Sequence, residues 1–204
     1  YNPVTGILTN GAPWPQNPPI LPGGWAFYND KLYIFGGFDP VTGGGATPGD
    51  IWIYDPFPGN GTWTHSTATL SIGRGYSAVA ALGGYIYIAG GSQFQAGTLT
   101  NETIVERYDP ATDTICDACV ADMLSPSSNA RGYTDGTNLY VPGGFFSTAV
   151  NTMQVYNPGT NSWSMGAPLT HAVRNYARAT VGNQFYVIGG YDATTGISTS
   201  NQRY

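Results

Sequence analysis

The sequence predicts an all-β protein built from four copies of one four-stranded sheet, and three observations predict it. First, an apolar strand ending in a double glycine occurs four times: Leu32–Gly37, Ile86–Gly91, Leu139–Gly144 and Phe185–Gly190. The double glycines begin at 36, 90, 143 and 189, so the unit repeats every 46 to 54 residues. Second, three of the copies run on to a tyrosine and an Asp/Asn-Pro turn: IWIYDP, VERYDP and MQVYNP. Third, composition disfavours helix. One Lys, two Glu, 29 Gly and 15 Pro stand among 204 residues, leaving few of the straight-chain residues that helices favour.

The elements follow in order within each unit. A first strand leads into a tight turn at Asn29-Asp30, Gly83-Gly84, Gly136-Thr137 or Gly182-Asn183. These residues accept the positive φ that two-residue hairpins require. The second strand always carries a tyrosine three residues before the first glycine (Tyr33, Tyr87, Tyr140, Tyr186), flanked by apolar residues on both sides. Neighbouring side chains in a strand point to opposite faces, so both faces must be covered. A polar loop leads to the third strand. The fourth is centred on Trp63, Ile115 and Trp163. Four antiparallel strands in about fifty residues make one blade of a β-propeller. The expected blades are 24–66, 72–120, 128–166 and 172–204, the last completed by 1–10.

The double glycine, the Tyr-Asp/Asn-Pro turn and the following Trp resemble the kelch repeat, over nearly the whole chain. Arg74 and Arg174, just before their first strands, add to the resemblance. It implies a kelch-type β-propeller. The opening YNPVTGILTNGAP matches YNPGTNSWSMGAP at Tyr156–Pro168. Since the chain stops at a third strand ending in Tyr204, the N-terminal segment is expected to supply the missing fourth strand, as kelch rings are usually sealed. That protects an open edge. A closed four-bladed monomer, strand exchange between chains giving a larger ring or filament, and part of a longer propeller all satisfy this pattern.

Charged residues are only 9% of the chain and the net charge is −5. The low charge suggests a secreted or cell-surface protein. Nucleic-acid binding needs clustered Lys and Arg, which are absent. No segment is apolar for long enough to span a membrane as a helix. Cys116 and Cys119 stand at a spacing open to a local disulfide, half a zinc site or a redox pair, with a disulfide or free thiols as the simple readings. Asn60-Gly-Thr and Asn101-Glu-Thr are glycosylation sequons.

The long second-to-third loops (38–50, 92–103, 145–152 and 191–200) and the links between blades fall on one face, the usual place for function on a scaffold. Three loops open on an aromatic: Phe38, Phe145 and Tyr191. Asp39 and Asp192 follow two of them, and the links add Trp14, His65 and His171. Rings beside carboxylates could hold a sugar; the simpler reading is that the rings cap blade packing. Two histidines cannot build a three-histidine metal site, so no catalytic residue, metal or cofactor is expected. The arginines near the blade starts invite comparison with sialidases; the simpler reading is that they tie neighbouring blades together through carbonyls. The expected role is non-enzymatic recognition of a glycan or protein, or self-assembly through the terminal strands. The alternative is a carbohydrate-active, sialidase- or oxidase-like domain, or part of a longer kelch propeller.

Overall fold

A computed structural model describes residues 1–16, 20–39, 47–95 and 97–204. It is all-β, with no helix among the described residues. Three blades are complete antiparallel four-stranded sheets. Blade 1 comprises Leu21–Tyr28, Lys31–Phe38, Asp50–Asp55 and Thr62–Thr69. Blade 2 comprises Ala78–Leu82, Tyr85–Ala89, Val105–Asp109 and Thr114–Cys116. Blade 3 comprises Tyr133–Thr134, Leu139–Pro142, Met153–Asn157 and Ser162–Met165. Blade 4 has Ala177–Val181, Gln184–Ile188 and Asn201–Arg203. The first strands of all four line one axial cavity of about 400 Å³. The arrangement is a four-bladed propeller.

The core lies between the blades, because each sheet is apolar on both sides. Tyr33, Phe35 and Ile51 of blade 1 pack against Ile86, Ile88 and Tyr108 of blade 2. The opposite face of blade 2, with Ala80, Leu82, Tyr87 and Val105, packs against Leu139, Val141, Tyr156 and Trp163 of blade 3. Tyr133 and Met153 then meet Phe185 and Val187 of blade 4. Adjacent residues Ile86 and Tyr87 thus serve different joints, as strand alternation requires.

The double glycines are where one blade receives the next. Gly37, Gly91 and Gly144 donate their N–H to the carbonyls of Arg74, Ser127 and Val173, at 3.2, 2.8 and 2.9 Å. The preceding glycines 36, 90 and 143 have φ of 58, 58 and 61°. A Cβ there would run into the same three carbonyls, so glycine is required twice over, by conformation and by space.

Two expectations need correction. The N-terminal segment does not complete blade 4, which stays three-stranded. Its resemblance to a third-to-fourth strand turn is real. Asn2 Oδ1 accepts from the Val4 and Thr5 N–H groups, as Asn157 Oδ1 does from Gly159 and Thr160. Asn2 also bridges Ile7 as Asn157 pairs Ser162. But this turn lies beside blade 1. Trp63 Nε1 donates to the Ala12 carbonyl at 3.1 Å, just as Trp163 Nε1 donates to Ala121 at 2.8 Å. The segment therefore occupies the place of a blade preceding blade 1. In a closed four-blade ring that place and blade 4 would coincide. Here they do not, since Phe27 of blade 1 and Val181 of blade 4 remain 66% and 64% exposed.

Arg74 and Arg174 both precede a first strand, but not at the same position. Gly75 bridges Ser92 and Arg174 bridges Tyr191, which aligns Arg174 with Gly75 and Arg74 with Val173. The second correction is that the second-to-third loops are not plain loops. Small hairpins rise from them at Ser92–Gln95/Thr98–Asn101, Phe145–Phe146/Thr148–Ala149 and Tyr191–Asp192/Gly196–Ile197. In the expected loop 38–50, residues 40–46 lie outside the described residues, as does the Gly43-Gly44-Gly45 run.

Candidate recognition face

The residues just before the inner strands set the geometry of the channel mouth. Tyr76, Asn129 and Asn175 stand at equivalent positions in blades 2, 3 and 4, all with positive φ of 55 to 59°. They are chained across the blades. Asn129 N–H donates to the Tyr76 carbonyl at 2.9 Å and Asn175 N–H to that of Asn129 at 3.0 Å. Asn129 Nδ2 also reaches Asn175 Oδ1 at 2.7 Å. Asparagine tolerates the left-handed conformation and brings an amide to the surface.

Around this ring stand the aromatics that follow the double glycines. Phe38 lies 6.1 Å from both Tyr76 and Phe94. The Arg174 guanidinium sits between the Phe145 and Tyr191 rings, at 4.5 and 4.6 Å from their centroids. Its Nε is buried and makes no hydrogen bond. Ser147, Thr148 and Ala149 complete a hollow of about 210 Å³ beside it. That volume suits one functional group rather than a whole ligand. Aromatic faces attract the cation and fix its position. This mouth is what the structure offers as a contact surface.

The expected site residues divide. Phe38, Phe145 and Tyr191 are brought to the mouth. Asp39 is 4% exposed and has an interaction partner. Asp192 accepts from the Thr194 and Thr195 backbone N–H groups. The Thr194 bond, chiefly, holds its carboxyl below the usual range; it fastens the Tyr191 hairpin. Trp14 packs on Trp52 and Trp63 at 6.0 and 4.8 Å, in front of blade 1 and away from the mouth aromatics. His171 is exposed on the link to blade 4, with its backbone N–H on Gln202 Oε1. His65 lies not on a link but in the fourth strand of blade 1, where it contacts Asp50 at 3.0 Å. Sequence reasoning missed Tyr76, Phe94, Asn129 and Asn175 at the mouth. The only signal for three of them was their equal offset before the first strand.

The remaining expectations also find places. Cys116 and Cys119 form a disulfide. Asn60 is exposed. Asn101 Oδ1 instead accepts from the Ser92 and Ser128 hydroxyls, at 2.7 and 3.0 Å, so its side chain joins blades 2 and 3. Arg178 ties blades together through a carbonyl, whereas the Arg74 side chain bonds within blade 2 and the link before it. Arg74 donates to Gly90 and Ile88 and is paired to Glu106 at 2.5 Å, wholly buried. Arg178 reaches the carbonyl of Gly132 and lies 4.6 Å over Trp25 in the axial cavity. Arg131 gives its backbone N–H to the Tyr176 hydroxyl. Among the described residues, no three His, Cys, Asp or Glu side chains gather as a metal site would need.

Radially packed four-stranded sheets around an axial cavity define the β-propeller class. Its repeats are kelch repeats. A model of the Kelch motif matches residues 73–114 and 128–170, and the chain is a kelch-repeat propeller. It is 29% identical to Kelch-like protein 25 of Xenopus tropicalis, over 82% of this chain and 28% of that protein. It is 30% identical to mouse Kelch-like protein 35, over 74% of this chain and 25% of that one. The chain therefore spans about a quarter of the length of these curated relatives. The solved structure of YjhT superposes with a TM-score of 0.70 at 16% identity, over 91% of this chain and 67% of that one.

Proposed function

We propose that this protein is a non-catalytic recognition module that docks a protein partner on the face around the channel mouth. The observation that carries this reading is the Arg174 clamp beside the Asn129–Asn175 pair, rimmed by Phe38, Phe94 and Tyr191. Arginine and aromatic residues are the types enriched where protein partners bind most tightly. The kelch-propeller fold supports a binding role.

The test is selection of displayed peptides and of a glycan array against the wild-type protein, with Arg174→Ala, Tyr191→Ala and Phe38→Ala as counter-screens. Peptide binders should lose at least about tenfold in affinity on the mouth variants. They should keep it on Asn183→Ala, at the hairpin turn of the opposite end. Binders indifferent to all three mouth variants would refute the reading. Turnover in a hydrolase and oxidase screen would refute its non-catalytic part.

The extracellular or cell-surface location is part of the same proposal. Its support is the Cys116–Cys119 disulfide, of a kind that persists in oxidising compartments. Alkylation of protein taken directly from its native source should leave both cysteines unmodified. Two alkylated thiols would place the protein in a reducing one.

A further inference from the structure

Three links carry the chain from the last strand of one blade to the first strand of the next, and the second of them is closed by a disulfide. All three are anchored alike. The N–H groups of Leu70, Met123 and Leu169 donate to the carbonyls of Gly49, Thr103 and Asn151, at 2.9, 2.9 and 2.8 Å. Each of these three side chains is at most 6% exposed. Two of the links therefore hold their place with hydrogen bonds and burial alone.

The link from blade 2 to blade 3 has further anchors of the same kind. Asp122 Oδ1 accepts from the Val105 N–H at 3.0 Å. Ala121 donates its N–H to Asn161 Oδ1 and its carbonyl accepts from Trp163 Nε1, both at 2.8 Å. The Val120 N–H closes the turn on the Asp117 carbonyl at 3.2 Å. Cys116 and Cys119 stand only three positions apart, and closing so short a loop restrains the unfolded chain less than closing a long one. The bridge adds little to a segment already fixed from both blades.

The bridge also sits in extra chain. Ile115 faces Tyr108 as Trp163 faces Tyr156. Met123 follows Ile115 by eight residues, whereas Leu169 follows Trp163 by six. The surplus lies in the turn 117–119, which is exposed throughout. The two sulfurs are thereby unequal: Cys116 is half-buried at the end of its strand, and Cys119 is exposed. Next to Cys116, Asp117 keeps its carboxyl above the usual range, through partial desolvation first and then the charges of Glu106 and Asp122.

We propose that Cys116–Cys119 is a thiol–disulfide exchange site that takes electrons from aliphatic thiols. A thiolate attacks the exposed Cys119 Sγ, the bond between the two protein sulfurs breaks, and its electron pair leaves on Cys116 Sγ. Asp117 is the neighbour placed to pass that sulfur a proton. A second thiolate then attacks the substrate sulfur of the mixed disulfide. The small disulfide departs, and Cys119 Sγ takes the electron pair and a proton. Two thiols are oxidised to one disulfide as the protein disulfide becomes a dithiol. The anchors of the link outlast the bridge, so the dithiol stays poised to close again on a further disulfide. In an oxidising compartment the bridged form is the resting one.

The test holds purified protein in millimolar reduced glutathione without denaturant and counts thiols by alkylation and mass. Two protein thiols should appear for each oxidised glutathione formed, with circular dichroism unchanged. In Cys116→Ser, oxidised glutathione should load Cys119 as a trapped mixed disulfide. In Cys119→Ser, loading of Cys116 should be at least about tenfold slower. A bridge reduced only where denaturant unfolds the protein would overturn the proposal, since it would then be a structural staple. So would reduction that itself costs the sheets their circular-dichroism signal, or equal loading of the two single-cysteine variants. Arg174→Ala at the mouth should leave these rates unchanged, which separates this test from that of partner docking.

Discussion

At the scale of single residues, Arg74 and Glu106 form the most deeply buried ion pair among the described residues. Both side chains are fully buried, 2.5 Å apart, and Glu106 also accepts from the Ser71 N–H. Blades 3 and 4 place Gln154 and Gln202 where blade 2 has Glu106. Those amides make the same contact to the linker backbone, at Ser125 and His171. Blade 3 also places Ser127 where blade 2 has Arg74. Removing one charge leaves the other buried and uncompensated, so Arg74→Met should cost about 3–5 kcal/mol. Arg74→Ser with Glu106→Gln reproduces the pair of blade 3. In urea melts it should recover about 2 kcal/mol over the worse single variant. Strict additivity would mean that the charges are not coupled. Asp113 gives a pH signature. Burial pushes its carboxyl up, but bonds from Ser66, Tyr108 and Thr67 outweigh that and hold it at about 2. An unfolded aspartate titrates near about 3.9, so the stabilisation is complete above that value. It is lost as pH falls through about 2. Melting temperature should therefore drop between about pH 5 and pH 2, and Asp113→Asn should flatten that slope.

At the scale of the element, the double glycine separates two effects that usually act together. Gly143 and Gly189 have nearly the same φ, 61 and 64°. Only Gly143 has a carbonyl of another blade, Val173, within reach of a Cβ. Gly189→Ala should cost the left-handed conformation alone, about 1–2 kcal/mol. Gly143→Ala adds displacement of blade 4 and should cost clearly more, read as a larger fall in denaturant midpoint at unchanged slope. Equal costs would deny the cradle its role in joining blades. This element is also where the sequence was most legible. Apolar runs that cannot tolerate an exposed face, closed by glycines, announce strands and joints without knowledge of what they touch. The turn residues Asn29, Asp30, Gly83 and Gly84 do adopt positive φ. The small loop hairpins were hidden because their strands are only two to four residues long, too short to show an alternation, as at Phe145–Phe146 and Thr98–Asn101. That Arg74 and Arg174 precede a first strand was legible; their relative register was not. Only the bridge from Arg174 to Tyr191 shows it standing one residue later than Arg74. The mouth was half legible: aromatics after glycines stand out, whereas an asparagine held at positive φ looks like any loop asparagine.

At the scale of the whole molecule, repetition shows how many blades there are but not the angle between successive ones. That angle decides whether Tyr1–Leu8 meets blade 4. It is set by how side chains fill each joint, which no periodicity records. Its consequence is an unequal distribution of stability. Blades 2 and 3 are covered on both faces, with Ile86, Ile88, Ala89, Val105 and Leu139 wholly buried. Blade 4 is covered on one face, and its first strand is largely exposed. In an array where each unit contacts its neighbours, an end unit opens at the cost of a single joint, while a middle unit must break two. Amide exchange of the single chain should therefore be fastest in Ala177–Val181 and Asn201–Arg203 and slowest in Tyr85–Ala89 and Leu139–Pro142. The Gly190 amide should exchange far faster than those of Gly91 and Gly144, whose N–H groups are held by carbonyls at 2.8 and 2.9 Å. A uniform exchange rate across all four second strands would mean that the blades unfold as one cooperative body. The open face of blade 4 would then carry no energetic weight.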